Sequence, residues 1–332
     1  MKDLVLNLKN VGLIKEASIK INGLTVIAGE NDTGKSTVGK SLFFINQGNV
    51  VRTLRLFNDI FYFQPQDIKI TFNKNNANFK SMVFSLSEKR AFKTVFIETP
   101  IIVNLFHLFS QLDTVQSQMT SELLNNQDDI EYFIIELIKK YSFNYPYTSK
   151  DLYNKFILKL KNETSLDKDK FVDDLKDIID GELIYVPLKG IVFKRGNQEF
   201  DINSVATGIK NFGILQLLIK NNYLTKDSIL IVDEPEVHLH PKWQLEYAKF
   251  IVELVKNGVK VLITSHSPYM IDALKYYSDE NNINNTFYLS EKNNKEESVI
   301  TDVTEDLSPI FIKLTEPLER LHKMRLGFKN DD

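Results

Sequence analysis

Residues 29 to 36 read Gly29-Glu30-Asn31-Asp32-Thr33-Gly34-Lys35-Ser36, with the apolar run Leu24-Thr25-Val26-Ile27-Ala28 before them and a helical pattern from Thr37 to Phe44 behind. A buried strand that turns through two glycines into a helix is a phosphate-binding loop, and few folds accommodate one. Gly29 and Gly34 let the backbone aim successive N–H groups at phosphate oxygens. Lys35 reaches the β- and γ-phosphates, and the Ser36 hydroxyl is placed for Mg²⁺. The helix that runs on through Thr37 adds the partial positive charge of its N-terminus. Gly29 through Thr37 are therefore the residues expected to hold a nucleotide.

Far along the chain a second apolar run, Ser228-Ile229-Leu230-Ile231-Val232, has the composition of a strand buried on both faces of a parallel sheet, and it ends in Asp233-Glu234-Pro235-Glu236. An aspartate at such a strand tip can hold Mg²⁺ through water, and the glutamate beside it can polarise a water for attack on a γ-phosphate. A third run, Val259 to Thr264, leads into Ser265-His266-Ser267-Pro268. A lone histidine is most often a packing residue. Here it closes the third of three strands whose companions end in a phosphate loop and an acidic pair. Together they describe the carboxyl edge of one parallel sheet, where open α/β sheets bind ligands. The fold class expected is α/β, a P-loop NTPase.

The phosphate loop, Asp233-Glu234-Pro235-Glu236, the following Val237-His238-Leu239-His240-Pro241 and Thr264-Ser265-His266-Ser267-Pro268 resemble the ABC-type ATPases of the RecF, SMC and overcoming-lysogenization-defect (OLD) group. The stretch Leu8 to Ala17 running into Gly23-Leu24-Thr25-Val26-Ile27 is similar to that group's first hairpin. The resemblance covers about residues 4 to 45 and 181 to 320. It implies an ABC-ATPase head with a mixed central sheet, an antiparallel β layer and an inserted helical lobe.

The resemblance further implies a homodimer in which two heads sandwich two ATP molecules head to tail. Asp233 and Ser36 would hold Mg²⁺, Glu234 would be the general base, and Lys35 and His266 would contact the reacting phosphate, His266 as the switch histidine. Val237 to His240 would touch the opposite subunit. A signature segment is also required, and the candidate is Asn203-Ser204-Val205-Ala206-Thr207-Gly208-Ile209-Lys210 ahead of the apolar run Phe212 to Ile219. Thr207 would supply a hydroxyl and Gly208 a close backbone approach to the partner's γ-phosphate. The segment departs from the Leu-Ser-Gly-Gly-Gln of transporters, which speaks against a transporter subunit; an ordinary helix start remains its other reading. A glutamine contacting Mg²⁺ is expected as well, with Gln47, Gln64 and Gln66 all open. His238 and His240 with Glu236 also have the form of a zinc set, although the family carries a similar run without needing a metal there.

A chain of 332 residues, 43% hydrophobic and 26% charged, can bury one large α/β domain plus an insertion. It contains no cysteine, which excludes disulfides and thiolate metal sites and fits a reducing, cytoplasmic setting. The start lacks a charged n-region followed by an apolar h-region, and no apolar run reaches membrane-spanning length, so no membrane role is expected. The net charge of −3 argues against coating nucleic acid by bulk electrostatics. Two small basic groupings, Lys189, Lys194 and Arg195, and Arg320, His322, Lys323 and Arg325, have the form of solvated faces.

The expected division is an N-terminal ATPase lobe over 1–99, an inserted helical lobe over 100–180 and a C-terminal ATPase lobe over 181–332. Asp67 to Phe72, Ser81 to Ser85 and Lys93 to Glu98 read as strands completing the antiparallel layer, with an Asn-rich turn over Asn73 to Asn78. In the middle, Ile130, Phe133, Ile134, Leu137 and Ile138 recur at helical spacing, and Phe156, Leu158, Leu160 and Leu175 sit among charges. An insertion of roughly 80 residues without sustained heptads is too short for an SMC coiled coil. After His266 come strands near Thr286 to Ser290 and Ser298 to Val303 and a helix from about Pro309 to Leu326. That tail has neither the length nor the carboxylates of the Toprim nuclease that OLD proteins carry, so the chain is not expected to cut nucleic acid. Two functions then compete. One is an ATPase that dimerises on ATP and gates a separate effector, a nuclease or toxin, in a bacterial antiphage or toxin system. The other is a RecF-like repair or maintenance ATPase that clamps nucleic acid.

Overall fold

The computed structural model describes residues 4–47, 57, 60, 61, 67–73, 75–79, 83–85, 92–106, 147–160, 166–186, 189–226 and 228–325. In chain order its elements are β1 (Val5–Val11), β2 (Ile14–Lys20), β3 (Leu24–Ala28), α1 (Lys35–Asn46), β4 (Lys69–Phe72), β5 (Asn75–Asn78), β6 (Val83–Ser85), β7 (Lys93–Ile97), a 3₁₀ turn (Pro100–Leu105), α2 (Tyr147–Ile157) and α3 (Lys168–Ile179). There follow β8 (Glu182–Val186), β9 (Gly190–Arg195), β10 (Gln198–Asp201), α4 (Thr207–Lys220), β11 (Ser228–Asp233), α5 (Pro241–Lys256), β12 (Lys260–Ser265), α6 (Pro268–Glu280), β13 (Asn285–Lys292), β14 (Ser298–Asp302) and α7 (Ser308–Arg325). The chain divides into two units, one made of 1–99, 161–167 and 222–332, the other of 100–160 and 168–221.

In the first unit, eleven strands among the described residues form one sheet in the order β6-β5-β4-β1-β2-β14-β13-β3-β12-β11-β7. The parallel half, β13-β3-β12-β11-β7, consists of apolar runs whose inner strands are buried residue after residue, as a sheet covered on both faces requires. The other half, β6-β5-β4-β1-β2, is antiparallel, and β4 and β5, like most of β1, alternate buried with more open positions. The antiparallel layer and the mixed core are thus one hydrogen-bonded sheet, joined through β14, which pairs parallel to β2 and antiparallel to β13. Helix α1 lies close on this sheet: a Cβ on Gly39 would meet Ile231 Cγ2 at 3.1 Å. Phe43 and Phe44 are fully buried, and Phe44 packs against Phe57, Phe61 and Phe79.

Two strand expectations are corrected here. Lys93–Ile97 does not extend the antiparallel layer; it pairs in parallel with β11, Val232 opposite Ile97, at the far edge of the sheet. Its Val95-Phe96-Ile97 core is buried without alternation, the pattern of a covered parallel strand. The Asn-rich segment is strand from Asn75 onward, with the turn confined to its start at Asn73, whose φ is 54°. Asn75 is buried and donates through Nδ2 to the Ile45 carbonyl at 2.9 Å, so a tertiary bond overrides a poor strand propensity.

The second unit pairs helices with a three-stranded antiparallel sheet, β10-β9-β8, which the sequence reading did not anticipate. Helix α4 is buried over most of its length, and Gly213 lies so close to β8 that a Cβ there would come within 2.2 Å of Leu183 Cδ1. Gln216, fully buried, joins helix to sheet by accepting from the Leu183 N–H at 2.9 Å. Phe106, Tyr153 and Phe156 form an aromatic cluster. The periodic segment Ile130 to Ile138 lies outside the described residues.

Candidate functional site

Three loops leave the carboxyl ends of neighbouring parallel strands. The loop after β3 begins at Gly29, which has a φ of 153° and so little room that a Cβ would lie 2.1 Å from the Ser290 carbonyl oxygen. Gly34 closes the loop at a φ of 89°, in the left-handed region, with Ser298 Oγ 2.7 Å from where a Cβ would be. Only glycine fits either place. The hydroxyls of Ser290 and Ser298 both donate to the Thr33 carbonyl, at 2.7 and 2.6 Å, and Thr33 Oγ1 donates to the Glu30 carbonyl at 2.9 Å. Strands β13 and β14 thereby brace the loop from behind. Two of its side chains turn aside: Asp32 pairs with Lys292 at 2.6 Å, and Glu30 lies 3.7 Å from Lys313 of α7. Asn31 is exposed.

Lys35, the first residue of α1, is 3% exposed. Its Nζ donates to the Glu30 carbonyl at 2.6 Å and lies 3.4 Å from Glu234 Oε1. Ser36, one residue on, lies near enough to Asp233 to favour its ionised form. Asp233 ends β11 and accepts from the Thr264 hydroxyl, and burial holds its carboxyl above the usual carboxylate range against the opposing influence of Thr264 and Ser36. A buried carboxylate beside a serine hydroxyl at a phosphate loop is a hard-oxygen donor set, suited to Mg²⁺.

Glu234 leaves the strand with a φ of 46°, a left-handed conformation uncommon outside glycine and held by hydrogen bonds from its N–H to Thr264. That turn swings its carboxylate to the mouth of the phosphate loop. Oε1 stands 3.4 Å from His266 Nδ1, as it does from Lys35 Nζ. The histidine first, and Lys35 after it, hold the Glu234 carboxyl below its ordinary range. Reciprocally, Glu234 raises the His266 imidazole above its usual value, with Glu236 acting in the same sense and burial and Lys35 opposing. A cavity of about 260 Å³ opens on this cluster, lined by Asp32 to Thr37, Glu234, and Gly12 and Leu13 of the β1–β2 turn.

The structure therefore brings together Lys35, Ser36, Asp233, Glu234 and His266. Thr207 and Gly208 begin helix α4 in the second unit, Thr207 as the first helical residue. Gln47 closes α1 at the end opposite Ser36, about 16 Å away at the rise of a helix, and so drops out as a metal contact. Gln64 and Gln66 lie outside the described residues. The zinc arrangement is not formed: His240 Nδ1 accepts from the Lys242 N–H as the cap of α5, while Glu236 is buried against the loop after β12. Among the described residues no group of three His, Cys, Asp or Glu side chains is placed to hold a metal ion. Sequence reasoning missed Gly12 and Leu13, the bracing serines 290 and 298, and the placement of Glu236. Thr264, flanking the histidine motif, was the one of these partners with a local signal.

Comparison with known proteins bears on the family and the fold. The profile of the family described as AAA ATPase domain matches residues 84–271. The Septu protein PtuA of Bacillus thuringiensis is 22% identical over 313 residues, covering 81% of this chain and 72% of the relative. The Septu protein PtuA of Bacillus mycoides (strain KBAB4) is 27% identical over 131 residues, covering 36% of this chain but 18% of the relative. Among solved structures, the Smc head bound to the C-winged helix domain of ScpA superposes with a TM-score of 0.50 at 14% identity, over 92% of this chain and 98% of that one. At that identity the likeness speaks for the fold, and the fold is that of an SMC-type ATPase head.

Proposed function

The chain belongs to the AAA ATPase domain family, and from that premise we propose that it binds ATP with Mg²⁺, hydrolyses it between two copies of itself, and uses the resulting opening and closing to gate a separate effector protein in a bacterial defence or toxin system. The observation that carries the chemistry is the row Lys35–Glu234–His266, with each neighbouring pair 3.4 Å apart at the mouth of the phosphate loop. Lys35 and the loop N–H groups bind and orient the triphosphate. Glu234, ionised because two cationic groups flank it, accepts the proton of the attacking water. His266, its imidazole raised by Glu234 and Glu236, stands on the other side of Glu234 to meet the γ-phosphate. Ser36 and Asp233 would hold Mg²⁺, which would supply charge neutralisation to the triphosphate. Thr207 and Gly208 serve the partner's nucleotide.

The defence setting rests on the resemblance stated from the sequence and on the likeness to the two Septu proteins, together with a net charge of −3 that does not favour a nucleic-acid clamp. The test is Glu234→Gln in ATP and Mg²⁺. Loss of the base leaves binding intact, so phosphate release is expected to fall at least about 100-fold while a closed dimer accumulates. Turnover at the wild-type rate refutes the assignment. Recovery of a second protein with the tagged variant supports the gating role, and recovery of bound DNA or RNA alone supports the clamp.

A further inference from the structure

We propose that Glu236 is a positioning residue for hydrolysis, holding His266 against Glu234 through the loop that follows β12. The inference rests on the ATPase reading. Glu236 is 5% exposed, and its Oε1 accepts from three successive residues: the Ser265 hydroxyl at 2.8 Å, the His266 N–H at 2.6 Å and the Ser267 N–H at 3.1 Å. The same oxygen lies 3.4 Å from His266 Nδ1. The imidazole therefore sits between two carboxylates, Glu234 on one side and Glu236 on the other, with Lys35 the opposing charge.

Glu236 Oε2 is buried and has no hydrogen-bond partner among the described residues. A buried, half-satisfied carboxylate is expensive to keep. A glutamine would offer the same acceptor to the same three donors without a buried charge, at the cost of amide N–H groups that meet no acceptor. What only the carboxylate adds is its charge beside the histidine. The clamp also reaches further: the Ser267 hydroxyl donates to Gln244 Oε1 at 2.6 Å, and Gln244 Nε2 donates to the Leu239 carbonyl at 2.9 Å. Hydrogen bonds through Glu236 and Gln244 thus tie the loop after β12 to the segment that ends at Leu239, while His238 and His240 stay exposed.

The test uses the full chain as wild type, Glu236→Gln, His266→Ala and the double variant. Glu236→Gln keeps shape and acceptor and is expected to fold. In Mg²⁺ and ATP its kcat is expected to fall at least about tenfold with KM within about threefold, and to cost nothing further once His266 is gone. Equal losses in both backgrounds, or no loss in either, would overturn the proposal. Independently, the His266 ring resonance is followed by NMR against pH without nucleotide. Its midpoint is expected to drop by about one unit in Glu236→Gln; an unmoved midpoint overturns the proposal. That readout needs no turnover, so absence of ATPase activity in the wild type would refute the functional reading while the titration still decides the role of Glu236.

Discussion

Glu234 lies between a lysine buried beneath the phosphate loop and a histidine on the neighbouring loop, and that arrangement sets the response of the free protein to pH. His266 is raised above its ordinary 6.5, so its share of stability is complete below that value and disappears as pH rises through the folded midpoint. Glu234 is lowered from its ordinary 4.5, so its share is complete above that value and disappears as pH falls through the folded midpoint. The pair therefore stabilises most between the two ordinary values. The difference in melting temperature between wild type and His266→Ala is expected to peak in that window and to shrink on both sides. A difference that stays flat with pH would show that the histidine contributes by packing alone. Lys35→Ala removes the buried cation proposed to face the β- and γ-phosphates, and ATP affinity by calorimetry is expected to fall at least about 100-fold. Unchanged affinity would dissolve the phosphate-loop assignment.

The phosphate loop is not self-supporting, since strands β13 and β14 hold it by two serine hydroxyls that converge on the Thr33 carbonyl. Removing both, in Ser290→Ala with Ser298→Ala, leaves a buried acceptor without its donors at a cost of about 1–3 kcal/mol. No phosphate contact is touched, yet ATP is expected to bind about tenfold more weakly with a lowered melting temperature; full affinity would mean that the loop needs no brace. These serines also mark where local pattern ends. Gly29, Lys35, Asp233, Glu234 and His266 were legible because each is tied to a strand end by chain neighbours of fixed type. The bracing serines come from strands that are distant in sequence, Gly12 and Leu13 come from the β1–β2 turn, and nothing beside them announces the partner. The same limit explains the fold. Runs such as Ile229 to Val232 and Val261 to Ile263 read as buried parallel strands from composition alone. The direction of Lys93–Ile97 did not, because it depends on a neighbour in β11, and Asn75–Asn78 resisted because a buried bond to Ile45 outweighs asparagine's preference for turns. The three-stranded sheet in the second unit escaped because its outer strand, Gln198–Asp201, is exposed at every position and offers no alternation.

At the scale of the whole molecule the proposal turns on whether one chain completes another's site. The phosphate loop, acidic pair and histidine belong to the first unit, while Thr207 and Gly208 belong to the second. If the signature acts in trans, Gly208→Trp blocks hydrolysis and leaves ATP binding intact, because the bulk obstructs only the partner's phosphate. Lys35→Ala fails for the opposite reason, since it spoils its own phosphate loop and keeps a sound signature. An equal mixture of these two inactive proteins then contains mixed dimers in which one composite site joins the intact loop of the Gly208→Trp chain to the intact signature of the Lys35→Ala chain. With random pairing about a quarter of all sites are whole, so ATPase activity up to about a quarter of wild type is expected to reappear on mixing. Recovery of that kind cannot come from sites completed within one chain, where each variant carries its own lesion. A mixture as inactive as its components would place the signature in cis or remove it from the chemistry, and the head-to-tail dimer would lose its mechanistic basis.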